Sequence, residues 1–169
     1  MNSEKLKSLQ ALLKDKYRDN PQSAIVTLKA QGNIDENISC KVETGRAIIE
    51  AGLHPATGGT GMLACSGDLL LEALVACAGV TLNAVATAIE IEIKKGIIKV
   101  EGDLDFRGTL GVSKDAPVGF KEIRLRFIII SDAAQDKLEV LQKLTERYCV
   151  VYQTLVSGTV VKTIFERKQ

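Results

Sequence analysis

Hydrophobic and polar positions repeat along this chain with two periods, and the period changes where one kind of element gives way to another. Leu6, Leu9, Leu13 and Tyr17 recur every three or four residues, with Lys5, Lys7, Lys14 and Asp15 elsewhere around the wheel. That spacing predicts an amphipathic helix over residues 1–18, stopping before Asn20 and Pro21. Three short strands are predicted next, over 24–30, 38–43 and 46–51, separated by the turn residues of QGNIDEN and by Gly45. Residues 54–67, HPATGGTGMLACSG, hold four of the 14 glycines and one of the three prolines, which predicts an irregular loop suited to a functional role.

A helical stretch follows that loop. Ser66 is the expected N-cap and Asp68 a first-turn carboxylate, matched to the positive end of the helix dipole, for a helix running to about Glu90. From Leu69 to Val80 this helix is apolar on nearly every side, interrupted mainly by Glu72 and Gly79, so burial between other elements is expected. The apolar run is shorter than the roughly 20 residues that cross a bilayer. Period two then takes over. Ile98, Val100, Leu104 and Phe106 face one way, against Lys99, Glu101, Asp103, Asp105 and Arg107. Ile123, Leu125, Phe127 and Ile129 do the same against Arg124 and Arg126, which predicts an antiparallel pair of strands with one wet face. Asp132 and Gln135 are the expected capping pair of a helix striped by Leu138, Leu141, Leu144 and Tyr148, with Cys149 at its end. Gly158 introduces a final predicted strand over 159–165.

No repeat, low-complexity tract or linker divides the 169 residues, so a single domain over 1–169 is expected. A hydrophobic content of 46% with 25% charged residues belongs to a chain that folds around a core rather than to a disordered one. The formal net charge of +1 offers no electrostatic footprint for nucleic acid. Charges are scattered through the first 20 residues with no uninterrupted apolar block, so no secretory signal is read and a soluble cytoplasmic protein is expected, not a membrane one. In that compartment the four cysteines rest reduced, and any disulfide is transient and functional.

Chemistry narrows to the cysteines. Cys77 shares a helical face with Ser66, Leu70, Ala73, Leu74, Thr81 and Ala84, while Asp68 and Glu72 lie towards the far side. Two readings of it stay open: a small packed core residue, or a reactive thiolate that needs a stabilising neighbour the sequence does not place. Cys40 falls in phase with Ile38 and Val42, which favours packing in a strand. Cys65 lies just before a helix N-terminus, where packing and a stabilised thiolate are both open. No two cysteines form a CxxC pair, so neither zinc nor any other cofactor is expected. His54 is the sole histidine, either a loop residue facing solvent or a donor near a site. The following ATGGTG lacks the Lys and Ser/Thr of a phosphate-binding loop.

The segments SGDLLLEALVACAGVTL and YCVVYQTLVSG, with the order of strands and helices around them, resemble the OsmC/Ohr family of osmotically inducible and organic hydroperoxide resistance proteins. The resemblance implies an α+β fold, with antiparallel sheets around a buried central helix, in an interwoven homodimer whose active sites lie at the subunit interface. It implies that Cys77 reduces an organic hydroperoxide and that Cys149 resolves the sulfenic acid as a disulfide, which a lipoyl-type or protein dithiol then reduces. The family's activating arginine would come from the early strands, where Arg46 is the candidate. Its glutamate near the start of the central helix is replaced here by Gly67, with Asp68 adjacent and His54 a further possible support. The competing expectation is a non-catalytic member of the same fold that binds a small hydrophobic ligand at the dimer interface.

Overall fold

The alternation of the two long strand segments produces the antiparallel pair β5 (Lys95–Leu104) and β6 (Phe120–Ile130). Their register sets Ile98 opposite Phe127 and Val100 opposite Leu125, so both apolar sets fall on one face. On the other face Arg124 bonds both carboxylate oxygens of Asp103 and also approaches Glu101 and Glu122 at 3.7 and 3.6 Å. This is a computed structural model, and it describes residues 2–25, 31–35, 39–43, 48–111 and 113–167.

Against the apolar face lies the central helix α2 (Ser66–Ala88). Leu74, Ala78, Leu82 and Ala86 are buried at four-residue spacing and form one ridge. Helix α4 (Gln135–Tyr148) presents a second ridge of the same spacing in Leu141 and Thr145, which Cys149 continues just past its end. The Thr145 hydroxyl donates to the Leu141 carbonyl at 2.7 Å, so this fully buried polar group costs the core nothing in lost hydrogen bonding. A last short helix, α5 (Val150–Val156), also packs on α2. All of α2 together is long and apolar enough to cross a membrane by length and composition. Here its buried face is packed between β5, α4 and α5.

The N-terminal half carries α1 (Ser3–Asp19) and a small sheet. Lys7 and Ser3 on α1 both bond the Glu90 carboxylate, at 3.1 and 3.2 Å, fastening α1 to the far end of α2. Strands β1 (Gln31–Asp35), β2 (Ser39–Glu43) and β3 (Ile48–Gly52) are antiparallel, and the two-residue β4 (Ala64–Cys65) runs parallel to β3 and feeds directly into α2. The loop between β3 and β4 turns tightly through a 3-10 turn at Pro55–Thr57, where His54 Nδ1 accepts the Ala56 N–H at 3.0 Å. A side chain at Gly59 would put its Cβ 1.7 Å from the Leu53 carbonyl oxygen, so the loop's path requires glycine there.

Several expectations are corrected. The turn expected from QGNIDEN contains β1, and the strand expected from residue 24 is a 3-10 turn at Pro21–Ala24; residues 26–30 lie outside the description. Ser66 is not the cap of α2: Cys65 holds that position and Ser66 is the first helical residue. Phe106 leaves the strand pattern because Asp105 accepts the Arg107 N–H at 3.1 Å and so opens a short helix, α3 (Phe106–Thr109). The neighbouring Arg107 guanidinium holds the Asp105 carboxyl down at about 2. Asp132 pairs with Lys94 and Gln135 with Glu139, so the two form no capping box, and Ala134 is the N-cap of α4. Tyr148 is 57% exposed, with Arg147 above its ring at 5.5 Å, instead of closing the α4 stripe. Residues 159–165 form no strand. Ile164 and Phe165 stand 82% and 97% exposed, and no strand among the described residues pairs with them.

The two ridges make a stability prediction. Replacing Leu141 with Ala should cost about 2–5 kcal/mol in urea unfolding, because the rigid α2 ridge cannot collapse into the space left behind. A loss below about 1 kcal/mol would show that the contact between α2 and α4 does not organise the core.

Candidate thiol site

Cys77 lies on α2 between the buried Leu74 and Ala78, and Cys149 joins that cluster from the break between α4 and α5. The break is built from one extended residue. Cys149 has φ −73° and ψ 109°, its N–H donates to the Thr145 carbonyl at 2.9 Å, and its own carbonyl accepts the Gln153 N–H at 2.9 Å. One residue therefore ends α4 and begins α5, which turns its side chain towards α2. Against the buried Leu74, Ala78 and Cys149 pack Cys77 itself, Ile98 and Val100 of β5, Ile123, Leu125 and Phe127 of β6, and Val151 and Tyr152 of α5.

Both cysteines are free thiols, and they differ in access and in acidity. Cys149 is 1% exposed whereas Cys77 is half-buried. Burial pushes the Cys77 thiol up, but hydrogen bonds from the Val151 backbone N–H, the Cys149 thiol, the Thr81 hydroxyl and the Val150 backbone N–H more than offset it, and the group sits below its ordinary value. For Cys149 burial prevails. The Tyr152 backbone N–H lowers its pKa, but donating to Cys77 and lying beside that thiolate raise it further, so it sits above the ordinary value. The two thiols are thus shifted in opposite directions, Cys77 towards easier ionisation and Cys149 away from it. No cation figures among the main influences on Cys77, so neutral donors supply the stabilisation.

The other sequence candidates lie elsewhere. His54 stacks on Phe106 with ring centroids 4.8 Å apart, and lines a separate cavity of about 370 Å³ together with Cys65 and Gly67. Cys65 precedes Cys77 by 12 helical positions, about 18 Å along the axis. Asp68 is exposed, beside Leu71, Glu72, Val75 and Val100. Arg46 lies outside the described residues. Cys40 sits in β2 opposite Ala51. Among the described residues no three His, Cys, Asp or Glu side chains gather as a metal site. The donors to Cys77 were not assigned from sequence, although Thr81 was visible on its face; the two backbone amides carry no side-chain signal.

The model of the family described as OsmC-like protein matches residues 59–164, more than half of the chain and both cysteines of the pair. The chain belongs to the OsmC-like family. Among solved structures it is similar to an OsmC-like protein from Mycoplasma pneumoniae, with a TM-score of 0.66 at 22% identity over 78% of this chain and 90% of that one. An organic hydroperoxide resistance protein OsmC from Legionella pneumophila gives 0.62 at 19% identity, over 79% and 91%. The organic hydroperoxide resistance protein OhrB of Bacillus subtilis gives 0.53 at 19%, over 80% and 94%. At these identities the likeness is one of fold, and it agrees with the α+β class expected from the sequence. No curated protein matches the chain.

In this OsmC-like chain the lowered Cys77 thiol should keep its thiolate at pH values where an ordinary cysteine is protonated. Limiting iodoacetamide at pH 7 should therefore label Cys77 ahead of Cys149, read by peptide mass spectrometry. Equal labelling of the two would contradict the asymmetry.

Proposed function

We propose that the chain is a cysteine-based peroxidase that reduces organic hydroperoxides. The observation that carries this reading is the pair of free thiols, Cys77 and Cys149, brought together at one apolar cluster with their acidities shifted in opposite directions. The Cys77 thiolate attacks the terminal peroxide oxygen, the O–O bond breaks, and the alkoxide leaves as alcohol after taking the Cys149 proton. Cys77 is then a sulfenic acid. The Cys149 thiolate attacks its sulfur and expels hydroxide, which takes a proton from solvent, so one hydroperoxide and two thiols give an alcohol, water and a disulfide. An external dithiol, of lipoyl or protein type, restores both thiols by exchange. A reducing cytoplasm suits such a cycle.

The same reading includes a homodimer. Val160, Val161, Ile164 and Phe165 form an exposed apolar segment, and Val80 on α2 is 72% exposed. A second copy of the OsmC-like domain would cover these surfaces. Light scattering at micromolar concentration should give twice the chain mass, and deleting residues 159–169 should shift the protein towards monomer. A folded full-length monomer would overturn the dimer.

One observation favours a second reading, a non-catalytic protein that binds a small hydrophobic ligand. The cavity beside His54 is walled by Leu53, Leu70, Leu104, Phe106, Val118 and Phe120, and its volume of about 370 Å³ is that of a small-molecule site. Peroxide chemistry separates the two. One equivalent of cumene or tert-butyl hydroperoxide should consume two thiols and link Cys77 to Cys149, and Cys77→Ser should abolish the reaction. Cys149→Ser should stop at a sulfenic acid that dimedone traps. The apolar surroundings of Cys77 should make these substrates roughly tenfold faster than hydrogen peroxide. Inertness of the reduced, folded protein to all three peroxides would leave the binding reading standing.

A further inference from the structure

Five segments meet around the cavity beside His54: the turn after β3, the first turn of α2, the end of β5, α3 and the start of β6. Gly67 stands in the first turn of α2, and its backbone, which has no positive φ, does not call for glycine. A Cβ there would lie 3.4 Å from Phe120, 3.5 Å from Leu104 and 3.7 Å from the Cys65 sulfur, all ordinary contacts. Glycine destabilises a helix relative to alanine, and neither strain nor crowding at this position requires it. What the missing side chain leaves is space. All three of those neighbours line the cavity, so a longer side chain at position 67 would extend into it.

His54 fixes the polar side of that space. Its carbonyl accepts the Thr57 N–H at 2.8 Å, the Thr57 hydroxyl at 2.9 Å and the Gly59 N–H at 3.1 Å. Its ring stacks on Phe106, and its Nδ1 accepts the Ala56 N–H at 3.0 Å. A ring nitrogen that accepts a bond carries no proton, so the imidazole proton is on Nε2 and the ring's remaining polar atom is a donor. Backbone and ring are both held before any ligand arrives.

We propose that this cavity binds a small neutral molecule with a flat apolar body and a carbonyl oxygen that accepts the His54 Nε2–H. Neutrality follows from the wall. Among the described residues that line the cavity none is Asp, Glu, Lys or Arg, so an ionised ligand would lose hydration without gaining a counter-charge. The flat body follows from the stacked His54 and Phe106 rings and from Phe120 beside them. The carbonyl follows from Nε2: the hydroxyls of Ser66 and Thr109 and the Cys65 thiol can donate or accept, whereas Nε2–H only donates, and the Thr57 hydroxyl is already given to the His54 carbonyl. The assignment deepens the binding reading of this cavity, on which it rests, by naming the ligand class. It needs no chemistry at Cys77, because the cavity shares no lining residue with the cluster that holds Cys77 and Cys149.

The test uses three probes of one shape on the intact, fully reduced protein at neutral pH: acetylnaphthalene, ethylnaphthalene, which lacks the acceptor, and naphthoate, which is charged. Cys65 lines the cavity as a free, half-buried thiol, so occupancy is read by peptide mass spectrometry as its protection from iodoacetamide, with Cys77 labelling as the internal control. Acetylnaphthalene should protect Cys65 at roughly fivefold lower concentration than ethylnaphthalene, the worth of one neutral hydrogen bond, and naphthoate should be the weakest. His54→Phe keeps a ring and removes the donor, so the two neutral probes should become equal. His54→Ser, which keeps a capping oxygen for the Ala56 N–H, makes the same comparison if circular dichroism shows the phenylalanine variant unfolded. Gly67→Leu, or Gly67→Val if the leucine variant is unfolded, should remove the protection. Equal affinity of the neutral probes in the parent, a preference that survives in the folded His54 variant, or tighter binding of naphthoate overturns the carbonyl assignment and leaves the binding reading standing. Protection that persists in the folded Gly67 variant, extends equally to Cys77, or fails with all three probes overturns the site and the binding reading with it.

Discussion

The buried face of α2 is the constraint on which the rest of the molecule depends. Its ridge at Leu74, Ala78, Leu82 and Ala86 has small residues at two of four positions, which lets α4 and the β5–β6 sheet approach closely. The α4 ridge repeats every four residues through Leu141 and Thr145, and the next step along it is Cys149. A packing requirement therefore delivers a thiol to the one place on α2 where another thiol is found. The helix stops there because Cys149 adopts an extended backbone, and that break points the Val150 and Val151 amides at Cys77. Fold and site share the same residues, so the site is as rigid as the core.

Two neighbouring thiols in one apolar cluster would be alike without further asymmetry, and burial alone would raise both. The asymmetry comes from donors. Cys77 receives two backbone amides, a hydroxyl and the Cys149 thiol, whereas Cys149 gives its proton away and gains a negative neighbour. Each shift strengthens the other: a thiolate at Cys77 holds the proton on Cys149, and that proton holds the charge on Cys77. The residue with the lowered pKa is also the more exposed, the order that the proposed roles of nucleophile and resolving partner require.

The long elements were legible in the sequence because their signals are dense. The alternation from Ile98 to Leu104 and from Ile123 to Ile129 gave both the strands and their inner face, and the Leu138, Leu141 and Leu144 stripe gave α4. Local chemistry misled where a competing bond was invisible. Phe106 continues the period of β5, yet the bond from Asp105 to the next turn ends the strand first, and Asp132 has the look of a cap but is taken by Lys94. The segment 159–165 has the β-branched composition of a strand but pairs with no strand among the described residues, and a strand is a property of two segments. For the site, the family pattern singled out Cys77 and Cys149, whereas the amides of Val150 and Val151 follow from a backbone break that no residue type announces.

Neutral donors have a physical consequence for this pocket. A buried arginine would stabilise a thiolate more strongly, but it would need its own counterion and pay a desolvation penalty of several kcal/mol in a cluster walled by isoleucine, valine and phenylalanine. Amides already oriented by α5 and a hydroxyl already ordered on α2 require no such compensation. Their effect depends on the backbone path at the start of α5, so the break at Cys149 and the acidity of Cys77 are set by the same stretch of chain.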